Sequence, residues 1–235
     1  MFLSFIYFLF FAIIVFYIPG RFVLNYFTKD KNFYILAPSL VLGILLYSVI
    51  ILVFRYIGAT YQSCFLVYTV LSIVLLIKTG LNNYSFSFKK LELLAFFTTI
   101  LFIALLQNTL LSRSGDYANG ELNFYVGTHD PMHHLSLIAE IRHNFPFQNP
   151  SFAGEKLKNY HYFADLVMAG VLETLPVETF HLYFRVFPIF VSLLFSISCL
   201  SVVSMFIKSF YFRMLAVIFM TSGGNFGYLI PFLRN

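Results

Sequence analysis

Six long apolar runs constrain this chain more than any other feature of its sequence. They cover residues 2–19, 33–54, 61–77, 91–111, 186–207 and 214–233. Each run has about 17–22 residues, which is enough for a helix to cross roughly 30 Å of hydrocarbon. A backbone inside lipid must satisfy its own hydrogen bonds, so the runs are expected to be helical. We therefore predict an all-α fold, a polytopic transmembrane helix bundle.

The composition excludes the main soluble classes of protein. Hydrophobic residues make up 60% of the chain and charged residues 11%, against about 45–50% and 25% in soluble domains. These values exclude a soluble enzyme, a disordered chain and a nucleic-acid-binding module. The net charge of +5 is instead explained by Lys and Arg in cytoplasmic loops. The first apolar run lacks a basic start and a cleavage site, which favours a retained helix over a signal peptide.

The positions of Lys and Arg predict the orientation of the helices. Connections 20–32 and 78–90 each contain three basic residues, whereas connection 55–60 contains one; they are Arg21, Lys29 and Lys31, then Lys78, Lys89 and Lys90, and Arg55. The positive-inside rule places the first two connections in the cytoplasm and the N-terminus outside. We therefore expect an integral membrane protein, in the plasma (cytoplasmic) membrane, with an extracytoplasmic loop after the fourth helix.

This orientation divides the chain into three parts. They are four N-terminal transmembrane helices (1–111), an extracytoplasmic loop (112–160) and a C-terminal group of membrane helices (161–235, with 186–207 and 214–233 as spans). Residues 161–177 could form a full span, but this would place Lys208 and Arg213 outside, against the positive-inside rule. We therefore expect residues 161–177 to form a partial or re-entrant helix.

Ionisable residues gather in and beside the outer loop. Eight of the ten acidic residues lie between 116 and 178, and all six histidines lie between 129 and 181. Asp130-Pro131 is typical of an N-cap followed by proline at the first helical position, which predicts a helix over 131–144. One face of this helix would be polar and another apolar, namely His133, Ser136, Glu140 and His143 against Met132, Leu135, Ile138 and Ile141. The pattern predicts an interfacial amphipathic helix that faces a cavity or merely covers the bundle.

Several polar side chains of this region are candidate ligands. Asp165 lies in an apolar segment, where an acid is costly, so we expect it to face the bundle interior; its spacing allows a pair with His161. His129, Asp130 and His133 could bind a divalent metal ion such as Mg²⁺ or Mn²⁺, although solvated histidines beside an N-cap would look the same. The sequence contains no His-Glu-x-x-His motif, Walker loop or dinucleotide fingerprint.

Residues 128–233 resemble the GT-C superfamily of polytopic glycosyltransferases, which includes protein mannosyltransferases and aminoarabinose transferases. Residues 128–134, Thr-His-Asp-Pro-Met-His-His, are similar to the acidic start of the family's large outer loop. Residues 149–154 and 159–162 are similar to the stretch that leads into the next helix. Here four helices precede the loop instead of the usual one, and proline follows the acid instead of a second acid. The chain is short for this family, so we expect a fragment or a short member.

The resemblance implies a transferase that moves a sugar from a polyprenyl-phosphate-linked donor to an acceptor on the outer face of the membrane. Asp130 matches the family's loop acid, which acts as general base on the acceptor or helps to hold a metal. The candidates for substrate binding are His133, His134, Glu140, Tyr160, His161, Asp165 and Arg185, of which His161 and Arg185 could hold the departing phosphate. The expected partners are the lipid bilayer and the sugar donor, not nucleic acid. The alternative is a non-enzymatic membrane protein, a transporter or assembly scaffold whose outer loop binds a partner.

Overall fold

The computed structural model describes residues 2–29, 33–80, 90–91, 93–94, 97–98, 116–118, 121–123, 129–152, 154–158 and 160–222. Within these ranges the chain forms seven helices and one short hairpin, which confirms the all-α fold class. Most of the predicted span 91–111 and more than half of the final predicted span, 214–233, lie outside the described residues.

The N-terminal part contains three long helices. Helix α1 joins Phe2–Phe11, the π-helical segment Ala12–Tyr17 and Ile18–Leu24. A 3₁₀ turn at Phe33–Ile35 leads into α2, Leu36–Tyr56, and α3 follows at Tyr61–Thr79. Thr60 caps α3, because its side-chain oxygen accepts a hydrogen bond from the Ser63 amide.

The remaining elements follow in chain order. Strands β1, Asp116–Ala118, and β2, Glu121–Asn123, pair antiparallel. Helices α4, His129–His143, and α5, Phe163–Thr174, come next. Helix α6 joins Thr179–His181, the π-helical segment Leu182–Val186 and Phe187–Phe206, and α7 is Phe210–Ser222.

Four of the described helices are long and apolar enough to cross a membrane, which identifies an integral membrane protein. They are Leu3–Leu24, Leu36–Tyr56, Tyr61–Lys78 and Thr179–Phe206. Helix α5 has 12 residues, or about 18 Å at 1.5 Å per residue, and so is too short to cross the hydrocarbon alone. Its residues from Asp165 to Leu172 are all buried, as expected of a short apolar helix enclosed by its neighbours.

Helices α1 and α2 approach each other closely at two glycines. A Cβ atom at Gly20 would overlap the Ser39 carbonyl oxygen, and one at Gly43 would overlap backbone atoms of Phe16. Small residues allow helix backbones to approach in this way within membranes. The contact leaves little freedom in how the first two helices pack.

The abundant aromatic residues fill the centre of the bundle. The Phe11 ring lies 5.5 Å from the Tyr47 ring and the Tyr47 ring 5.3 Å from the Tyr68 ring, both edge to face. Phe8 of α1 packs against Phe190 of α6 at 5.0 Å. Such edge-to-face pairs are favourable beyond the area they bury. The aromatic cluster therefore joins α1, α2, α3 and α6.

The two ends of the bundle carry different side-chain contacts. At the start of α2, Tyr34 accepts hydrogen bonds at its carbonyl from Ser201 Oγ and at its hydroxyl from Arg213, each 2.7 Å long. At the opposite end, the Tyr61 hydroxyl donates to the Ile141 carbonyl at 2.7 Å. Helix α2, with 21 residues, separates these ends by about 31 Å. Helix α4 therefore lies at the end opposite Tyr34.

Candidate functional site

Helix α4 is docked by an ion pair as well as by its apolar face. The Arg142 Nε donates to the Glu173 Oε1 at 2.7 Å, and the Gln62 Nε2 donates to the Glu173 carbonyl oxygen at 2.9 Å. These contacts connect α4 to the end of α5 and the start of α3. The polar residues of α4 are thereby held over the first turn of α5.

The face of α4 that packs on the bundle agrees with the predicted apolar stripe only in part. Ile138 and Ile141 of that stripe are buried, whereas Met132 is exposed, and the buried face also includes Leu137, which was not predicted. A helix buries positions i, i+3, i+4 and i+7 together, and this set begins at His134. The side chain of His134 therefore points into the bundle.

The central feature of the site is a hydrogen-bonded pair between His134 and Asp165. The His134 Nδ1 lies 3.0 Å from one carboxylate oxygen of Asp165 and 3.1 Å from the other. The Asp165 side chain is 0% exposed and that of His134 16% exposed. When Asp165 is ionised its carboxylate only accepts hydrogen bonds, so the His134 Nδ1–H is then the donor, and Nε2 faces away from Asp165.

The buried position of Asp165 confirms that this acid faces the bundle interior. Burial raises the pKa of the Asp165 carboxyl above its usual value, while the nearby rings of His134, His161 and His133 act to lower this pKa. Loss of hydration disfavours the charged acid, and only nearby hydrogen bonds or positive charge can compensate. The charged form of the Asp165 carboxyl group is therefore stabilised by its histidine neighbours.

Four aromatic rings lie near the His134 ring. The rings of Tyr160, His133, Tyr183 and His161 have their centroids 6.0, 6.1, 6.3 and 6.4 Å from that of His134. The Tyr160 hydroxyl lies 3.5 Å from the His134 Nε2. Burial and the carboxylates of Asp165 and Asp130 raise the pKa of Tyr160, so at neutral pH this phenol is protonated and can donate.

Asp130 lies at the solvent side of the same histidine. Its Oδ1 is 3.6 Å from the His134 Nε2, and its side chain is 82% exposed. The prediction that Asp130 caps the helix is wrong, because α4 begins at His129 and Asp130 lies inside the first turn. A carboxylate in the first turn is stabilised by the positive end of the helix dipole. Pro131 is tolerated in this turn because the first backbone amides of a helix have no hydrogen-bond partner within the helix.

Glu140 and His133 contact the segment that follows α4. The Glu140 carboxylate accepts hydrogen bonds from the Asn144 side chain at 2.8 Å and from the Gln148 amide at 3.0 Å. The His133 Nδ1 lies 3.5 Å from the Ser151 Oγ. Glu140 thus stabilises the turn that follows α4. His133 faces Tyr160 and the segment that contains Ser151.

The other candidate residues have different positions. His161 precedes α5, whose N-cap is Tyr162, so the i,i+4 pairing with Asp165 that a continuous helix would allow does not form; the His161 ring stacks on Tyr160 at 4.7 Å. Arg185 lies in the π-helical segment of α6, with its Nη1 3.3 Å from the Phe184 carbonyl oxygen. Tyr183 of this segment was not predicted, because nothing in an apolar helix marks which tyrosine faces a site.

The predicted metal ligands are only partly described. The side chain of His129 lies outside the described residues, while Asp130 and His133 are both present near His134. Among the residues that the structure describes, no group of three or more His, Cys, Asp and Glu side chains is arranged to hold a metal ion. Comparison with protein-family models, with curated proteins and with solved structures finds no match to this chain.

Proposed function

We propose that this chain is a membrane glycosyltransferase that moves a sugar from a polyprenyl-phosphate-linked donor to an acceptor at the extracytoplasmic face. The observation that carries the proposal is the row of Asp165, His134 and Asp130, which runs from a buried carboxylate to an exposed one at one end of a membrane bundle. A lipid-anchored donor presents its sugar at this depth, and an exposed carboxylate can reach an acceptor hydroxyl that arrives from water.

The distribution of basic residues supports the extracytoplasmic side. Arg213 and Tyr34 are in contact, so the start of α7 lies beside the connection that contains Lys29. Leu75, near the end of α3, packs at this same end of the bundle in a cluster with Tyr17. Among the described residues, Lys29, Lys78 and Arg213 thus lie at the end opposite α4, and the positive-inside rule assigns this end to the cytoplasm.

The proposed reaction is a displacement at the anomeric carbon of the donor sugar. The acceptor oxygen forms a bond to this carbon while the bond from the carbon to the phosphate oxygen breaks, and the bonding electron pair leaves with the polyprenyl phosphate. The acceptor hydroxyl loses its proton to the Asp130 carboxylate, which acts as general base. Positive charge that develops on the sugar is favoured by the nearby carboxylates.

The reaction is tested with membranes that contain the chain and with radiolabelled decaprenyl-phosphate mannose, glucose and aminoarabinose as donors. We expect label to move from one donor to a membrane acceptor, with release of decaprenyl phosphate. Asp130→Asn should lower this transfer by roughly 100-fold or more, since an amide is not a base. Glu155→Gln, at an exposed glutamate on the segment after α4, is the matched control and should leave transfer unchanged.

Two results would contradict the proposal. Full transfer by Asp130→Asn would remove Asp130 as the base. No transfer from any donor by the parent chain would instead favour a non-enzymatic protein whose outer loop binds a partner.

The orientation has its own test. Cysteine at Ser209, between α6 and α7, should resist a membrane-impermeant thiol reagent in intact cells, whereas cysteine at Ser151 should react readily. The native Cys64 and Cys199 are both buried and give a low background. Rapid labelling at Ser209 together with protection at Ser151 would reverse the orientation.

A further inference from the structure

We infer that Arg55 binds the phosphate of an anionic phospholipid at the boundary of the membrane. Arg55 lies in the last turn of α2 and is the one basic residue of the connection to α3. Helices Leu36–Tyr56 and Tyr61–Lys78 are both long and apolar enough to cross a membrane. The short turn between two such helices lies where the hydrocarbon ends and the lipid headgroups begin. The guanidinium group is therefore at the depth of lipid phosphates.

The positive charge of Arg55 has no acidic partner among the described residues. Its guanidinium carbon lies 4.9 Å from the centre of the Tyr61 ring, and within the described part of the chain its Nε is buried without a hydrogen-bond partner. Glu173 contacts Gln62 at the start of α3, but it is already paired with Arg142. Arg55 therefore retains an uncompensated charge and unused hydrogen-bond donors.

The guanidinium group of Arg55 is suited to a phosphate. A guanidinium is planar, and its N–H donors form a fixed fork that matches two oxygens of a phosphate. The Tyr61 ring covers one side of the group and attracts its charge. Because the Nε is buried, the two terminal nitrogens are the ones that a phosphate would contact.

The surface beside Arg55 is suited to the rest of a lipid. Val53, Tyr56 and Ile57 are exposed apolar side chains, and the Tyr56 ring meets the Phe145 ring edge to face with centroids 6.4 Å apart. Aromatic side chains are common at this depth, where they contact both acyl chains and headgroups. A water-soluble phosphate would gain nothing from these side chains, so the surface favours a lipid as the ligand.

The charge of the region favours an anionic lipid over a zwitterionic one. Two arginines and one glutamate, namely Arg55, Arg142 and Glu173, leave one net positive charge at this end of the bundle. Basic residues at the membrane boundary attract anionic headgroups, whereas the choline group of a zwitterionic lipid would be repelled by the same charge. Phosphatidylglycerol, with one negative charge and no cation, fits these requirements.

The lipid site is separate from the proposed catalytic residues. The Tyr61 hydroxyl donates to the carbonyl of Ile141, near the end of α4. Ile141 and Asp130 are about 17 Å apart along this helix at 1.5 Å per residue. The lipid site therefore does not rest on the proposed transfer reaction.

The site is tested by native mass spectrometry of the full chain, delipidated in dodecyl maltoside and titrated with phosphatidylglycerol. We expect the parent to bind phosphatidylglycerol more tightly than phosphatidylcholine with the same acyl chains. Arg55→Gln should weaken this binding by about 10–100-fold, the usual loss for a hydrogen bond to a charged group. Arg55→Lys should also lose affinity, because an ammonium lacks the fork of donors. Lys156→Gln removes an exposed cation after α4 and should bind like the parent.

Four outcomes would overturn the lipid site. Unchanged phosphatidylglycerol affinity in Arg55→Gln would show that the arginine only reaches water, and equal affinity of the parent for phosphatidylcholine would remove the preference for an anion. Equal affinity for glycerol 3-phosphate would assign Arg55 to a soluble phosphate. Displacement of phosphatidylglycerol by an equal concentration of decaprenyl phosphate would assign Arg55 to the sugar donor. If Arg55→Gln fails to fold, parental affinity in Arg55→Lys would overturn the site instead.

Discussion

Replacing Asp165 with alanine is expected to lower the free energy of unfolding by about 3 kcal/mol. Removing one member of a buried charged pair typically costs about 3–5 kcal/mol, because the other member stays buried without its partner. Asp165 is fully buried but His134 retains some exposure, so water can partly solvate the histidine and the lower value applies. At about 2–4 °C per kcal/mol for a chain of this size, the melting temperature should fall by roughly 6–12 °C.

A double substitution separates the pair from the packing of each side chain. His134→Leu leaves the Asp165 carboxyl without its hydrogen bond, while His134→Leu combined with Asp165→Ala leaves neither polar group. The double variant should therefore lose less stability than the sum of the single variants, by about 1–3 kcal/mol, as is typical for residues in contact. Asp165→Asn, which keeps a carbonyl acceptor for Nδ1–H, should lose less than Asp165→Ala.

Thermal unfolding in detergent can be followed with a thiol-reactive fluorogenic dye. Cys64 in α3 and Cys199 in α6 are both buried, so dye reaction reports opening of the bundle. Chemical unfolding of the same variants supplies the free energies. If the loss of stability in the double variant equals the sum of the two single losses within about 0.5 kcal/mol, the two residues are not coupled. This result would refute the paired geometry.

Three further substitutions test how the helices pack. Gly43→Ala should destabilise the bundle by about 1–3 kcal/mol, as overpacking does, because the added methyl group meets the Phe16 backbone; a melting temperature equal to the parent's would exclude this close approach. Tyr61→Phe should cost about 1 kcal/mol, since it leaves the Ile141 carbonyl without its donor, and protease cleavage after α4 should become faster if this bond docks the helix. Glu173→Gln should cost about 1 kcal/mol by weakening a half-buried ion pair, and high salt should reduce the difference from the parent.

The position of α4 could be predicted from sequence more closely than its orientation. Asp-Pro at its start and Pro146 after its end marked a helix over 131–144, and the structure has His129–His143. The buried face was predicted only in part, because two apolar stripes of similar strength, one through Met132 and one through Leu137, are compatible with the same pattern. Packing against the bundle selected the second stripe and turned His134 inward with it.

The sequence by itself determined that this chain is a helical membrane protein with most of its acidic residues and all of its histidines in and beside one loop. Run length and the scarcity of charge are sufficient for this, because hydrocarbon excludes unpaired polar backbone whatever the tertiary arrangement. The sequence also predicted that Asp165 faces inward, since an acid in an apolar helix needs a polar partner. Which histidine is that partner was decided by the tertiary structure. Six histidines were available, and the partner lies 31 residues away in the chain, where only the docking of α4 over α5 brings the two side chains into contact.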